Sequence, residues 1–493
     1  MKIDYNGTII EASAGARLSD LIGGDAPCGG RGKCGKCRVL VDGALTPPTE
    51  TERRLLGDDI DRGVRLACCC FVLGDVRVRS EDLSEGRIVT EGVQRVYRVS
   101  PRHRGIGAAV DLGTTTLAAR IFDSDGRLLA EGSAMNPQIS FGADVVSRIG
   151  HSMEGRGGEL ADSVRKGISS LICELSAMAG ISSFDISECV ITANTAMLHL
   201  LCALDCEPLA HAPFGVTSSF DCIMTAEEVG LDCLNSNTGV YFPPCISSFV
   251  GADTTCAILA CSAEEKEKCL LCDVGTNGEM TFTVDGRLYV CSAAAGPAFE
   301  GVGIAHGMRG GVGAIDRVSV ADGGISAHVI GEGEARGICG SGLVDAVAAL
   351  LRLELVDEGG YMEDEEIIKD SVTITPADLR SVQLAKSAIF AALSTLVKRA
   401  GAELSDVSVF YVAGGFGKYL DMDNADYIGL FPKGIADKGI AVGNAALDGA
   451  SMLLLDPSFR DKAASLARGA KTVELATDPY FMDCYVDGMY FQT

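Results

Sequence analysis

Two unlike folded units are predicted for this chain: a small N-terminal α+β unit and a larger α/β unit built from two copies of one plan. Three observations predict them. A loop dense in cysteine and glycine, Cys28-Gly29-Gly30-Arg31-Gly32-Lys33-Cys34-Gly35-Lys36-Cys37, sits among short alternating stretches near the N-terminus. An Asp-x-Gly-Thr turn leaves an apolar stretch at Val110-Asp111-Leu112-Gly113-Thr114-Thr115-Thr116 and again at Cys272-Asp273-Val274-Gly275-Thr276-Asn277-Gly278. A third apolar stretch runs into a glycine pair at Phe410-Tyr411-Val412-Ala413-Gly414-Gly415-Phe416-Gly417.

The chain has 493 residues, enough for three or four domains or subdomains with substantial cores. Hydrophobic content is 47% with no Trp, so burial rests on Val, Leu, Ile and Ala. No run approaches the roughly eighteen apolar residues that a membrane span needs, and Met1-Lys2-Ile3-Asp4-Tyr5 lacks the apolar core of a signal peptide. A net charge of -25, from 42 Lys and Arg against 67 Asp and Glu, argues against nucleic acid or an anionic membrane as partner. Twenty cysteines without an export signal or regular spacing do not suit a disulfide scaffold. Cys173, Cys189, Cys202, Cys256 and Cys291 lie in apolar stretches and are expected to be buried small hydrophobes, in keeping with a reducing cytoplasm.

In the first unit, residues 1–80, Lys2 to Ile10 alternates as a hairpin and Leu18–Ile22 follows as a short helix. The spacing Cys28-x5-Cys34-x2-Cys37, with Cys68 further on, is a one-residue variant of the plant-type 2Fe–2S pattern. Glycines let the loop wrap a cluster, and Arg31, Lys33 and Lys36 offset its negative charge. Structural zinc sites usually pair two short cysteine knuckles, and only one is present here. Cys69 and Cys70 adjoin Cys68, each either a spare ligand or a buried residue. Thr49-Glu50-Thr51-Glu52 is a capping box opening a helix through Leu56, and Asp75 to Arg79 alternates as a closing strand. Residues 81–104 are charged and weakly periodic, as expected of a linker.

In the second unit each Asp-x-Gly-Thr turn is followed by a further turn, Asp125-Gly126-Arg127-Leu128 or Asp285-Gly286-Arg287-Leu288, so both copies are predicted as β-hairpins. Glycine lets the backbone approach a ligand closely, and Thr hydroxyls and free N–H groups can face phosphate oxygens. Gly113, Thr114 and Thr115, with Gly275, Thr276, Asn277, Gly278 and Glu279, are therefore candidate nucleotide contacts. Asp111 and Asp273 stand too near phosphate to bind it directly, so Mg²⁺ or an attacking water is their natural partner. Gly340, Ser341 and Gly342 open a helix, a natural site for phosphate or ribose hydroxyls. Asp144 is expected to cap a helix, partner contact being the alternative, and Asp253 either to cap one or to lie near the metal. His199 is expected to be a satisfied, partly buried imidazole. The small-residue run Ser292 to Gly301 suits close backbone approach at a cleft floor. Thr375-Pro376 begins a helix through Arg399, on which Lys386 is expected to face solvent, with reach to the nucleotide as the alternative.

The paired turns, with Phe410–Gly417 and the small-residue stretch Val442 to Ala450, resemble the actin, sugar-kinase and heat-shock ATPase superfamily over residues 105–493. That resemblance implies a duplicated RNase H-like fold with subdomains 105–265 and 266–493. It also implies bound ATP, with Gly414 and Gly415 in the adenosine motif, and a Val442–Ala450 helix packing the halves together. Arg65-Leu66-Ala67-Cys68 resembles the fourth-ligand segment of β-grasp ferredoxins. A ferredoxin-like unit fused to such an ATPase resembles the reductive activators of corrinoid-dependent methyltransferases and corrinoid iron–sulfur proteins. The resemblance implies ATP-dependent reduction of Co(II) corrinoid to Co(I), a corrinoid protein partner, an upstream low-potential electron donor and a homodimer. Larger members carry a further segment between ferredoxin and ATPase that is not seen here. Two other readings share parts of the pattern: an electron-donating activator of a 2-hydroxyacyl-CoA dehydratase type enzyme, which generally shares a cluster between ATPase subunits, and an ATP-binding redox sensor without catalysis.

Overall fold

A computed structural model describes residues 1–5, 8–22, 32, 35, 37–80, 99–100, 105–142, 144–331 and 333–491. Cys28 and Cys34, and nearly all of the predicted linker, lie outside them.

The N-terminal unit is one mixed sheet. Strands β1 (Lys2–Tyr5) and β2 (Thr8–Glu11) pair antiparallel with Ile3 opposite Ile10. Strands β3 (Arg38–Leu45), β4 (Val64–Leu66) and β5 (Val72–Ser80) complete the order β2-β1-β5-β3-β4, with β1 and β5 parallel. A parallel pair cannot be joined by a tight turn, so the chain between its strands must cross over. The helices Leu18–Ile22 and Glu50–Leu56 lie in that crossover. Val72, Val76 and Val78 point into the core while Asp75, Arg77 and Arg79 face water, the period of two expected of a strand with one buried face. The predicted hairpin, short helix, capping box and closing strand are all present, the strand longer than its alternating centre.

The remainder contains two six-stranded sheets of one plan. In the first, Ile106–Leu112, Thr116–Phe122 and Leu128–Met135 form an antiparallel meander, and Ile186–Ala193 and then Gly239–Phe242 add parallel on the other side of Ile106–Leu112. In the second, Cys269–Val274, Gly278–Val284 and Arg287–Ala293 form the meander, and Val409–Ala413 and then Gly439–Gly443 add parallel. This is the duplicated RNase H-like architecture expected. Asp111 and Asp273 occupy the same place, at the C-terminal end of each first strand, which fixes the turns after them at one edge of each sheet.

Two helices fill the space between the sheets. Ala252–Cys261 and Ala445–Leu455 are nearly all buried, and they meet where Gly449 lies against the Cys256 backbone. Leu447, Leu453 and Leu454 pack with Ala109 and Phe122 of the first sheet, while Ala257 and Ile258 pack with Leu271 and Val290 of the second. Each fully buried aliphatic side chain of this kind contributes about 1.5–3 kcal/mol. Arg120 of the first sheet donates to Asp448 of the second helix at 2.6 Å with both side chains almost wholly buried. The Val442–Ala450 stretch thus has the place its small residues imply.

Three expectations are corrected. Lys386 neither faces solvent nor approaches the turns: it is buried, and its Nζ donates to the carbonyls of Gly488 and Tyr490 at 2.7 Å each. The apolar side of the helix Pro376–Arg399 is wide enough that Lys386 falls within it, and the C-terminal segment supplies its acceptors. Cys173 is exposed and Cys202 only half-buried, because Cys173 lies off the apolar stripe of the helix Gly157–Ala179 and Cys202 is the residue that ends the helix Thr195–Leu201. Every described cysteine is a free thiol. Among the described residues no helix is long and apolar enough to cross a membrane.

Candidate active site

The N-terminal site is organised by Glu52. Its side chain caps its own helix by accepting from Thr49 N at 2.9 Å. It also accepts from Arg65 Nε at 2.9 Å, Arg65 Nη2 at 3.1 Å and Leu66 N at 3.2 Å. Burial alone would raise this carboxyl, but Arg65 and the N–H groups of Thr49 and Leu66 outweigh it and hold the pKa below its ordinary value. One buried acid therefore joins the helix to the strand that delivers Cys68. The capping pattern was legible from sequence; the second role was not.

Cys37 and Cys68 Sγ atoms stand 3.1 Å apart, so these two predicted ligands meet across the sheet end. Cys69 Sγ lies 3.8 Å from that of Cys68. Cys70 is turned inward, fully buried and donating to Glu52 at 3.5 Å. Cys37, and then burial, push the Cys68 thiol well up. Two thiols so close are a donor set that suits a metal centre, since a coordinated thiol loses its proton outright. The residues present fit an iron–sulfur cluster.

The second site lies between the two duplicated turns. Asp111 accepts from Asn444 Nδ2 at 2.9 Å, and Asn444 is the N-cap of the helix Ala445–Leu455, so the second half of the chain holds the first half's acid. Burial, with Asp253 nearby and despite the Asn444 bond, pushes Asp111 up to about 7. Burial, then Asp253 and Asp111, push Asp273 up to about 7. Burial raises Asp253 to about 6, and burial, Asp253 and Asp273 raise Glu279 well above its ordinary value. These four acids are half-buried together, and neighbouring carboxylates disfavour ionisation of Asp111, Asp273 and Glu279, an arrangement that a cation would relieve. Among the described residues no three acid, His or Cys side chains converge closely enough to hold a metal by themselves. That fits Mg²⁺, which keeps several waters and is usually shared between one or two carboxylates and phosphate.

The turns carry hydroxyls facing the same space. Thr114 Oγ1 accepts from Asn194 at 3.1 Å. Thr115 and Thr276 each donate to Glu300 at 2.9 Å. Glu279 is cross-strand partner to Asp273 and accepts from Ser292 Oγ at 3.3 Å. Gly414, with φ of 93°, leaves room where a Cβ would stand 2.8 Å from Asp273 Oδ1. The turn after Val409–Ala413 therefore abuts Asp273, and exposed Gly415 follows it.

Other candidates have contacts of their own. Gly340 and Gly342 stand close to backbone, where a Cβ would lie about 2.1–2.2 Å from the carbonyl oxygens of Phe299 or Ile315. The Ser341 hydroxyl is already engaged with Asp316 O at 3.0 Å. Asp144 caps its helix through Ser147 N at 2.8 Å. His199 is buried, its Nδ1 2.7 Å from Thr195 O and its Nε2 accepting from Ser218 N at 3.2 Å. Sequence reasoning left Asp253 undecided and missed Glu300 and Asn444. Asn444 had a signal, a capping residue directly before Ala-Ala-Leu; Glu300 had only its place at the end of the small-residue run.

The paired turns, the interleaved helices and the thiol site define a nucleotide-binding fold of the actin and sugar-kinase type joined to an iron–sulfur unit. Comparison with known proteins agrees. Residues 3–73 match the 2Fe-2S iron-sulfur cluster binding domain, residues 106–266 the RACo middle region and residues 267–493 the C-terminal domain of RACo, the ASKHA domain. The chain is 34% identical over 420 residues to the corrinoid activation enzyme RamQ of Eubacterium limosum, covering 78% of this chain and 70% of that one. It is 31% identical over 297 residues to the [Co(II) methylated amine-specific corrinoid protein] reductase of Methanosarcina barkeri, covering 55% of each. A solved structure of a reductive activator for corrinoid,iron-sulfur protein superposes with a TM-score of 0.74 at 26% identity, covering 99% of this chain and 98% of that one. The chain belongs to this family of reductive activators of corrinoid proteins. Against the solved activator it lacks no large segment, although it spans less of RamQ.

Proposed function

We propose that the protein is an ATP-hydrolysing reductase that returns a corrinoid protein from Co(II) to Co(I), one electron at a time. The observation that carries this is the enclosure of Asp111, Asp253, Asp273 and Glu279 between two hydroxyl-bearing turns, in the same chain as the Cys37–Cys68 pair. Cys28, Cys34, Cys37 and Cys68 would hold a 2Fe–2S cluster, and the inward turn of Cys70 onto Glu52 supports Cys68 over Cys70 as the fourth ligand. Such a cluster supplies one electron at low potential.

In the cleft, Thr114, Thr115, Thr276 and Asn277 contact phosphate, with Gly113, Gly275 and Gly278 allowing its approach. Gly414 and Gly415 make room for adenosine, and Gly340 to Gly342 support the cleft wall through Phe299. Asp111 and Asp273 orient a hydrated Mg²⁺ or the attacking water, and Asp253 and Glu279 add negative charge behind them. Held by these acids, Mg²⁺ would supply positive charge against the phosphates. Residues 1–80, 81–104, 105–265 and 266–493 are the working units.

Plant-type clusters lie near about −400 mV, and a one-electron transfer uphill by about 100 mV costs about 2.3 kcal/mol. The two nucleotide states of the cleft can offset that only if they bind the Co(II) partner with different affinity. A partner docked so that its cobalt loses an axial ligand becomes easier to reduce. An upstream low-potential donor, a cytoplasmic location and a homodimer complete the proposal.

The test is visible spectroscopy of a Co(II) corrinoid protein mixed with this protein, a low-potential reductant and Mg·ATP. Co(I) absorbance should grow only when both protein and ATP are present. Equal yields without ATP would overturn the coupling.

A further inference from the structure

Glu300 joins the two halves of the cleft through a single carboxylate. Its Oε2 accepts from Thr115 Oγ1 and its Oε1 from Thr276 Oγ1, each at 2.9 Å, and the two threonines belong to opposite sheets. Its Oε1 also lies over the second turn, 3.6 Å from where a Cβ on Gly275 would stand. An anion with two acceptor oxygens therefore occupies the hydroxyls that the turns would offer to a phosphoryl group. Each threonine hydroxyl has one proton to donate. Neither can serve Glu300 and a phosphate oxygen together, and the two anions repel.

Resting on the nucleotide reading of the cleft, we propose that Glu300 is a displaceable crossbar. It ties the two phosphate turns together in the nucleotide-free protein, and the terminal phosphate of ATP expels it. Its surroundings pass the displacement on. Phe299 stacks on Phe416, beside Gly415, with ring centroids 4.8 Å apart, and the Phe299 carbonyl lies against Gly340. The backbone N–H of Gly296 in the same run bonds to Thr276 O at 2.9 Å. Movement of Glu300 thus disturbs both turns and the adenosine-side loop at once, whereas a diphosphate that does not reach the paired hydroxyls leaves the crossbar closed.

The experiment measures calorimetric affinity of the full protein for a non-hydrolysable triphosphate analogue (AMPPNP) and for ADP, in wild type, Glu300→Ala and Glu300→Gln. Amide hydrogen exchange at residues 113–116 and 275–278 is followed alongside. Removing the competing charge should tighten AMPPNP by at least about threefold while moving ADP less. Without nucleotide, Glu300→Ala should exchange faster at both turns together, and AMPPNP should abolish that difference. A supporting or metal-binding role for Glu300 would instead weaken AMPPNP, and weaker or unchanged binding in Glu300→Gln would overturn the crossbar. Wild type that binds neither nucleotide would sink the nucleotide reading itself, an outcome distinct from variants that bind without gain.

Discussion

The N-terminal unit buries one carboxylate and the cleft gathers several half-buried ones, and the two regions treat them in opposite ways. Glu52 is enclosed with Arg65 and two backbone N–H groups, so it stays ionised and ties a helix to the Cys68 strand. Asp111, Asp253 and Asp273 are half-buried and close together; desolvation raises all three, and Asp253 adds repulsion to the other two, giving about 7, about 6 and about 7. A buried acid with its own cation is a structural part. A group of half-buried acids without one is arranged for a cation that arrives from outside.

The two turns sharpen that contrast within the cleft. Asp111 has an amide donor in Asn444 and stands beside Ala118 and Thr192. Every influence on Asp273 raises it, and its cross-strand neighbour is Glu279. Asp273 is therefore the more exposed to whatever charge the ligand brings. The largest expected effect follows: Asp273→Asn should lower ATP turnover by about 10²–10³-fold while leaving nucleotide affinity within a few-fold. Asp111→Asn should cost about tenfold by comparison. Asp273→Asn should unfold no earlier than wild type, because it removes a charge that Asp253 and Asp111 oppose. Steady-state hydrolysis and a thermal melt check all three, and equal losses in the two variants would show that the turns are interchangeable.

Glu52→Gln tests the other side of the contrast. Replacing the charged partner of Arg65 should destabilise the N-terminal unit by about 2–3 kcal/mol, seen as bleaching of the visible cluster absorbance at lower urea. ATP hydrolysis at the same urea should persist. If hydrolysis fell in parallel, the two units would unfold as one.

Much of this was legible where chemistry and spacing lie close together in the chain. The duplicated turns, the Thr49–Glu52 box and the small-residue helix after Val442 each carry their reason within a few residues. What escaped depends on closure over long separations. Asn444 reaches Asp111 across 333 positions and Thr115 reaches Glu300 across 185, and no local period encodes such a meeting. Lys386 misled for a related reason: a lysine on a helix is usually solvated, and only the returning C-terminal segment supplies the carbonyls that let it be buried. The family resemblance indicated which motifs belonged together, but not which side chains meet across the cleft.

The smallest expected effect concerns pH, and here the two regions should differ in sign. Asp111 and Asp273 have folded pKa values near 7, above their ordinary 3.8. Between those values the folded state binds more protons than the unfolded, so their contribution to stability is full at acid pH and is lost as pH rises through about 7. Glu52 is lowered, so its contribution is present above its unfolded value and is lost on acidification. The stability of the ATPase part of metal-free protein should therefore fall from pH 5.5 to 8, and Asp273→Asn should flatten that slope. Mg²⁺ binds only the ionised acids. Added Mg²⁺ should accordingly stabilise little at pH 5.5 but by about 1.4 kcal/mol at pH 8 when in tenfold excess over its dissociation constant. Melts at the two pH values, with and without Mg²⁺, measure it. A Mg²⁺ effect larger at pH 5.5 than at pH 8 would mean that the cleft acids are not what the ion meets.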